Sequence, residues 1–416
     1  MSTRIERFQN EMAAGGSVTE NPPDERPTRW VQFVGIGAWL ALFTVLGVTS
    51  PWALVFVVGL LVSVLLHEVG HYWTARRSGM RVTQFFIGFG PRVWSFHRDG
   101  IEYGLRALPL GAFVRIIGMN NLDEVPETDE AFTYRQQSYP KRMWVITAGS
   151  AMHVIIAFAT IISVYGLAGR VEESGRVTIG EVVAGSPAAL AGLEIDDIVL
   201  AIDGQEVATA DAFRGLLGDT PPGTAVTLDI LRQGTPAQLE ATLVQHPSAA
   251  EGEILGYLGV RTSSVDRVSQ TWGDAFSQGP RDMFTGVGQA VVGIAKVVNP
   301  INVWGHLVGT NDDISSRPAT VVGAARLSDD AGDFDGWAGI LSLLAAVNIS
   351  VGVFNMFPLL PLDGGHAAIA TYERIRERKG KRYFADVAKL MPVVSVTVAL
   401  LAFMFLTGLY LDTVKL

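Results

Sequence analysis

The sequence predicts a polytopic α-helical membrane protein with about five transmembrane helices, a membrane-associated β-region and an extracytoplasmic α+β domain. Three observations lead to this fold class. Hydrophobic residues make up 49% of the 416 residues, and the mean hydropathy is +0.30. Apolar residues are concentrated in four regions, each long enough for a membrane helix of about 20 residues. Between these regions lie glycine-rich segments in which apolar and polar residues alternate, as is typical of strands.

The composition also excludes several classes of function. The formal net charge of −9 argues against a nucleic-acid partner. The chain has no cysteine, which rules out cysteine-ligated zinc, a cysteine nucleophile and disulfides in any extracytoplasmic part. Residues 1–29 are polar, mixed in charge and contain three prolines. They predict a disordered cytoplasmic tail with no evident signal peptide.

The apolar regions predict five helices. The first region is too long for one helix, and the Thr-Ser-Pro at residues 49–51 is a natural break. We therefore divide it into an additional transmembrane helix at 30–48 and a second helix at 51–75. Three further transmembrane helices are predicted at 143–168, 338–363 and 391–411.

The distribution of Lys and Arg predicts the orientation of these helices. Residues 76–142 carry ten basic side chains, and the loop 374–389 carries seven. Short loops rich in Lys and Arg face the cytoplasm. Residues 169–337 are then extracytoplasmic, the amino terminus is cytoplasmic and the carboxyl terminus lies outside. The predicted location is the cell membrane.

The extracytoplasmic part divides into a domain and a connector. Residues 176–246 alternate apolar strands with glycine turns, including an Asp-Gly hairpin signal, and predict a small β-rich domain. Residues 247–337 form the connector, in which "MFTGVGQAVVGIAKVV" predicts an amphipathic helix on the membrane surface. The stretch 310–333 is expected to be mostly loop.

A second irregular region, residues 81–119, lies on the predicted cytoplasmic side. Its sequence alternates like strands and contains several glycines. Backbone of this kind cannot face lipid with open edges, because its N–H and C=O groups would have no partners there. The region therefore pairs with itself, lies in a protein cavity or accepts a partner strand.

The segment "LLHEVGHYW" contains the first candidate site. His67 and His71 are four residues apart, so a helix places both imidazoles on one face, where they can bind one zinc ion. Zinc lowers the pKa of a bound water to about 7, and Glu68 is placed to act on that water. The alternative is that both histidines are interfacial side chains near the lipid headgroups. Glu68 argues against that alternative, because a carboxylate beside a membrane segment is costly and usually functional.

Asp363, in "NMFPLLPLDGGH", is the candidate third ligand. Taken alone, this sequence is also typical of a turn, where Asp is common without any metal. The predicted helices 51–75 and 338–363 both run from outside to inside, so Asp363 and His67 are expected at the same depth. Catalytic zinc usually takes three protein ligands, and this matching depth favours the metal site.

These motifs together resemble the site-2 protease family of intramembrane zinc metalloproteases, peptidase family M50. "HEVGH", "FFIGFGP" with "YGLRALPLGAFVRIIGM", and "NMFPLLPLDGG" carry the resemblance. The insert "GEVVAGSPAALAGLEIDDIVLAIDGQEV" is similar to a bacterial PDZ domain. The likeness covers about 51–246 and 338–411, and it is greatest to bacterial members with one PDZ domain that cleave anti-sigma factors.

The resemblance implies a zinc metalloendopeptidase. By position, His67, His71 and Asp363 correspond to the zinc ligands, and Glu68 to the catalytic glutamate. The implied activity is hydrolysis of peptide bonds in transmembrane segments of single-span membrane proteins, in particular anti-sigma factors already cut by another protease. The implied partners are those substrates and the lipid bilayer, with the PDZ-like domain filtering substrates.

The resemblance also implies substrate-binding residues. Asn355 and Pro358 correspond to a segment that holds an extended substrate, and Asn348 corresponds to an earlier asparagine, although its spacing to Asn355 is longer than usual. The chain departs from the family where "GSAMH" replaces Gly-Pro-x-x-Asn, so His153 is expected to be a polar residue packed in the bundle. His366 is expected beside the site or exposed.

Two other functions remain open. A catalytically inactive, membrane-anchored PDZ scaffold would bind peptides without cutting them, but it is expected to have lost one of the four central residues. A transporter would need further polar residues within the membrane helices, and these are scarce in the sequence.

Overall fold

A computed structural model describes residues 29–119, 122–247, 249, 254–311, 313–377 and 381–414. The predicted tail at 1–29 lies outside the described residues except for Arg29. The chain divides into two compact units. The helical unit contains the residues up to Val164 and those from Asp274 onward, and the β-domain is Tyr165–Gly273.

The first half of the helical unit contains three long helices and two strands. Ser50 separates the first two helices, because its side chain accepts a hydrogen bond from the N–H of Ala53 and Pro51 occupies the first helical turn. Proline is tolerated there since that N–H has no helical partner. A short 3₁₀ turn, Glu130–Phe132, precedes the third helix. The elements are α1 (Arg29–Thr49), α2 (Pro51–Arg77), β1 (Val82–Arg98), β2 (Ile101–Ile116) and α3 (Tyr139–Ala168).

The two strands fold into a hairpin that pairs with itself twice. Residues 84–87 of β1 pair with 102–105 on one side and with 112–115 on the other, while 92–98 pairs with 101–106. The chain bends sharply at Gly88, whose φ is +86° and where an added Cβ would lie 2.6 Å from the carbonyl oxygen of Leu108. Only glycine satisfies both conditions. The described pairings leave 112–115 at one edge of this small sheet.

The β-domain contains ten short elements in chain order. They are β3 (Arg170–Val182), α4 (Pro187–Leu190), β4 (Ile198–Ile202), β5 (Gln205–Glu206), α5 (Ala210–Gly218), β6 (Ala225–Arg232), β7 (Thr235–Thr242), β8 (Val244–Gln245), β9 (Gly256–Tyr257) and β10 (Val260–Val268). Six strands form an antiparallel sheet in the order β10-β3-β4-β6-β7, with β5 paired to β4, and β8-β9 is a separate pair. Buried residues alternate with more accessible ones along β6, as expected for a strand with one face in a core.

The sheet extends beyond the predicted domain boundaries of 176–246. β3 begins at Arg170, and β10 ends at Val268, inside the predicted connector. The two strands pair along most of their length, from Val260 with Val182 to Val268 with Arg170. The boundaries differ because the partner of β3 lies about eighty residues away, and local patterning contains no information on such pairs.

The second half of the helical unit begins with a bent helix pair. The angle between these two helices is 62°. Two 3₁₀ turns, Ile314–Ser316 and Val387–Leu390, precede later helices. The helices are α6 (Trp272–Val298), α7 (Pro300–Val308), α8 (Val321–Asn355), α9 (Asp363–Arg376) and α10 (Met391–Thr413).

Two predictions for this half were wrong. Residues 321–333 were expected to be loop but belong to α8, which Thr320 caps by accepting a hydrogen bond from Val322 N–H. Gly336, with φ +58°, breaks that helix. The helix predicted at 338–363 ends at Asn355, because the prolines of 356–362 cannot continue it. A turn follows, with a cis Leu360–Pro361 bond.

Five helices of the described residues are long and apolar enough to cross a membrane: α1, α2, α3, α8, and α10 with the turn before it. The bent pair α6–α7 would be a sixth if it forms one span. α2 packs on α8 through Phe56, Val57, Ile340 and Leu344. It also packs on α3 at Gly70, where an added Cβ would lie 2.8 Å from the carbonyl oxygen of Ala148. α2 is therefore held between the other two helices.

Candidate active site

Three side chains from distant parts of the chain converge in the helical unit. The Nε2 atoms of His67 and His71 are 3.1 Å apart. Oδ2 of Asp363 lies 3.4 Å from Nε2 of His67 and 3.2 Å from Nε2 of His71. One donor atom from each residue lies within 4.8 Å of the other two. The two imidazoles and the carboxylate can therefore bind a single ion.

The local sequence explains how each donor reaches this point. His67 and His71 lie one turn apart on α2, on the same face. Asp363 is the first residue of α9 and follows the turn 356–362. An added Cβ at Gly364 would lie 2.3 Å from the carbonyl oxygens of Met356 and Phe357, so the residue after Asp363 must be glycine for this turn to close. The Asp-Gly-Gly sequence thus serves both the turn and the site.

His71 is oriented by a hydrogen bond on its other nitrogen. Its Nδ1 donates to the carbonyl oxygen of Val145 on α3, at 2.7 Å. In the neutral ring Nε2 then carries the lone pair, which faces His67 and Asp363. A second hydrogen bond of this kind is typical of metal-binding histidines, because it holds the ring and its tautomer in place.

α3 also supplies the wall against which the two imidazoles lie. An added Cβ at Gly149 would lie 2.3 Å from Nε2 of His71 and 2.4 Å from Cε1 of His67. A side chain at this position would displace the rings, so glycine is required. The sequence offers a weak signal for this role, since Gly149 begins the "GSAMH" segment in the helix after the β-region.

The donor set and its spacing fit zinc. Two imidazole nitrogens and one carboxylate oxygen form a common ligand set of catalytic zinc sites, which leave one position for water or substrate. Ligands about 2.0–2.1 Å from a tetrahedral zinc ion are about 3.3 Å from each other. The measured separations of 3.1, 3.2 and 3.4 Å agree with that value.

Glu68 lies beside this cluster and is bound to the hairpin. Its Oε2 accepts a hydrogen bond from the backbone N–H of Val114, at 3.0 Å. Val114 belongs to the edge segment 112–115, and its N–H points away from β1 toward α2. This contact was not predicted, since nothing in the sequence specifies which strand residue meets the helix.

A cavity of about 270 Å³ connects these groups. It is lined by the metal-ligand cluster (His67, His71 and Asp363), by Glu68 and by the hairpin edge 112–114. Asn355, the last residue of α8, also lines it, and so do His153 and His366. His366 is 5% exposed. The cavity therefore has room for several water molecules next to Glu68.

The structure does not bring the other two predicted substrate-binding residues to this cavity. Asn348 is 1% exposed and its amide is used inside the bundle, by Ser63, His153 and the carbonyl oxygen of Leu344. It lies about two turns of helix before Asn355 and does not line the cavity. Pro358 lies in the turn 356–362 and lines a separate cavity.

Known proteins are similar in sequence to most of the chain. The sequence model of peptidase family M50 matches residues 55–401. The chain is 32% identical over 394 residues to a protein named zinc metalloprotease Rip1 from Mycolicibacterium smegmatis, covering 85% of this chain and 95% of the relative. It is 28% identical over 367 residues to metalloprotease MmpA of Caulobacter vibrioides, covering 78% of this chain and 87% of the relative.

Among solved structures, a segment of the chain is similar to the PDZ domain of an SdrC-like protein from Listeria monocytogenes. The match has a TM-score of 0.19 and 20% identity, and it covers 22% of this chain and 92% of that structure. The family match spans every residue of the metal-ligand cluster and Glu68. Two relatives named zinc metalloprotease Rip1 match this chain over 95% of their own length. The chain is therefore a zinc metalloprotease that belongs to peptidase family M50.

Proposed function

We propose that this protein hydrolyses peptide bonds in the transmembrane segments of single-span membrane proteins. The convergence of His67, His71 and Asp363 beside Glu68 carries the proposal. Two of these residues lie on α2, a helix long and apolar enough to cross a membrane. A protease centre on such a helix is best suited to substrates that are themselves in the membrane.

In this proposal His67, His71 and Asp363 hold zinc, which when bound polarises the scissile carbonyl and lowers the pKa of water. Glu68 accepts a proton from the attacking water and passes it to the nitrogen of the leaving amine. The new C–O bond then replaces the C–N bond, and no group other than water and the peptide is consumed. The position of the Glu68 carboxylate between the ligands and the hairpin supports this role.

The hairpin edge 112–115 provides the binding site for the substrate backbone. A transmembrane helix resists proteolysis because its carbonyls are hydrogen-bonded within the helix, so it must unwind locally. An unwound segment can pair with an open strand edge through its backbone. The outward N–H of Val114 supports this geometry, since a substrate carbonyl can accept from it and so release Glu68 for catalysis. Asn355, at the cavity wall, can hydrogen-bond the same backbone.

The β-domain is proposed to select substrates outside the membrane. It would admit chains whose extracytoplasmic part has already been trimmed, either by size or by binding the new carboxyl terminus. Anti-sigma factors of single-span type are the proposed class, and the active site would face the cytoplasmic side. Deleting the whole sheet, from Arg170 to Val268, should then broaden the range of substrates and leave the chemistry intact.

The test is co-expression with single-span anti-sigma factors, each with a trimmed extracytoplasmic part. Wild-type protein should generate a product that is absent with Glu68→Gln, while both proteins contain zinc. An Asp333→Asn variant, altered at an exposed position of α8, should cleave like wild type. If neither protein generates a product while both hold zinc, the protein is an inactive scaffold, whereas cleavage by Glu68→Gln equal to wild type would exclude Glu68 as the proton acceptor.

A further inference from the structure

We propose that His153 is a second hydrogen-bond acceptor for the attacking water, opposite Glu68, and thus a catalytic residue of this chain. The inference rests on the proposed function, since it concerns the same hydrolysis. It starts from the position of the side chain. His153 lies on α3, one turn after Gly149, and is 1% exposed. Its ring centroid is 4.9 Å from that of His67, and the residue lines the cavity of the metal-ligand cluster.

A hydrogen-bond network determines which nitrogen of His153 carries the proton. The side-chain Nδ2 of Asn348 lies 2.8 Å from the carbonyl oxygen of Leu344 and 3.1 Å from Oγ of Ser63. A carbonyl oxygen can only accept, so the Asn348 amide group must donate there. Oδ1 of Asn348 therefore faces Nδ1 of His153, at 2.8 Å. Because Oδ1 also can only accept, Nδ1 is the protonated nitrogen.

The other nitrogen, Nε2, then has a lone pair in the neutral ring. This lone pair can accept a hydrogen bond from a water in the cavity, but it cannot donate one to a peptide carbonyl. Nor does His153 belong to the three residues whose donor atoms lie within 4.8 Å of one another. Its chemistry is thus that of a fixed acceptor beside the ligands.

Two acceptors suffice to orient an attacking water. Glu68 takes one of its protons and delivers it to the leaving nitrogen, while Nε2 of His153 holds the second O–H. The oxygen lone pair is then directed at the scissile carbonyl carbon, the C–O bond forms and the C–N bond breaks. His153 gains no proton in this sequence. Such orientation contributes to the rate by reducing the freedom of the reacting water.

The alternative is that His153 serves only to pack α3 against α8 through Asn348. Two substitutions separate these roles, because the amide of Asn reproduces the position of Nδ1 and the amide of Gln reproduces that of Nε2. His153→Asn keeps a partner for Asn348 and removes the group at the cavity. His153→Gln keeps a polar group at the cavity and loses the partner of Asn348.

The experiment measures kcat, KM and zinc content of both variants with a single-span substrate in lipid vesicles. We expect about one zinc per chain in both. With His153→Asn we expect kcat to fall about tenfold, the worth of one hydrogen bond in the transition state, at unchanged KM. His153→Gln should stay within about threefold of wild type.

Three results would overturn the proposal: His153→Asn as active as His153→Gln or more so, a change confined to KM, or loss of zinc from His153→Asn. Thermal unfolding of both variants shows whether either has lost its fold, and the zinc content provides a reading that does not depend on turnover. Glu68→Gln is assayed alongside. If wild type does not exceed Glu68→Gln, the proposed function itself has failed, whereas an active wild type with the wrong order of variants overturns only the role of His153.

Discussion

The backbone N–H of Val114 donates a hydrogen bond to Oε2 of Glu68 across 3.0 Å, and so joins the hairpin edge to the zinc-ligand helix α2. The two residues are 46 positions apart. Glu68 is the proposed proton acceptor, and 112–115 is the proposed docking edge for an unwound substrate. One hydrogen bond thus connects the place where substrate is expected to bind with the group expected to perform the chemistry.

The first prediction concerns this bond. Val114→Pro removes the N–H while an edge strand still tolerates proline, because the lost donor points outward. We expect cleavage to fall at least about tenfold, since the substrate carbonyl that replaces Glu68 on this N–H loses its hydrogen-bond donor. Val114→Ala keeps the N–H and is the matched control. Turnover is measured with a single-span substrate, and equal activity of the two variants would contradict the proposed edge.

The second prediction concerns the third ligand. Asp363→Asn replaces the carboxylate that lies 3.2 and 3.4 Å from the two imidazoles. Loss of a residue that only hydrogen-bonds a metal ligand lowers metal affinity by about 10- to 100-fold. Asp363 is itself a proposed ligand, so we expect zinc affinity to fall by more than that. Competition with a fluorescent chelator measures this. Asp333→Asn, the same change at an exposed residue of α8, should bind zinc like wild type. Unaltered zinc affinity in Asp363→Asn would exclude Asp363 as a ligand.

The third prediction concerns the wall behind the ligands. Gly149→Ala adds a Cβ that would lie 2.3 Å from Nε2 of His71 and 2.6 Å from Nε2 of His67. Either the rings move or α3 moves, at a cost of about 1–3 kcal/mol, and zinc binding should weaken. Gly288→Ala on α6 is the control, because no atom lies within 4 Å of its added Cβ. Thermal unfolding and zinc content are measured for both variants. Full zinc affinity in Gly149→Ala would contradict this prediction.

The fourth prediction concerns the β-domain and pH. Asp197 is 1% exposed; burial raises the pKa of its carboxyl, but the hydrogen bonds from Arg232 and from the N–H of Glu194 outweigh this and lower it. Because the folded pKa is below the unfolded value of about 3.9, the stabilisation is complete above that value. It is lost as pH falls further, through the folded pKa.

Asp197→Asn should therefore destabilise the β-domain by about 1–3 kcal/mol at pH 7, and by less below pH 4. Urea-dependent proteolysis of the β-domain within the whole protein measures the difference. The control is Asp211→Asn, whose side chain is 89% exposed in its ion pair with Arg214. It should change stability by less than about 0.5 kcal/mol at either pH. An equal effect of Asp197→Asn at both pH values would show that this ion pair does not stabilise the domain.

The sequence by itself determined the features that depend on spacing along the chain. The interval of four between His67 and His71 places both on one helix face, wherever that helix lies. The apolar blocks of about 20 residues correspond to helices long enough to cross a membrane. Asp363 could be proposed as a partner because its helix was expected to run in the same direction.

Only the tertiary structure decided which distant groups meet. It turned Asn348 toward His153 and away from the cavity, and it placed Gly149 against both imidazoles. It also paired residues 112–115 with β1, so that Val114 faces Glu68. These contacts join residues tens to hundreds of positions apart. They follow from how helices pack and how strands pair, and the periodicity of a local sequence contains neither.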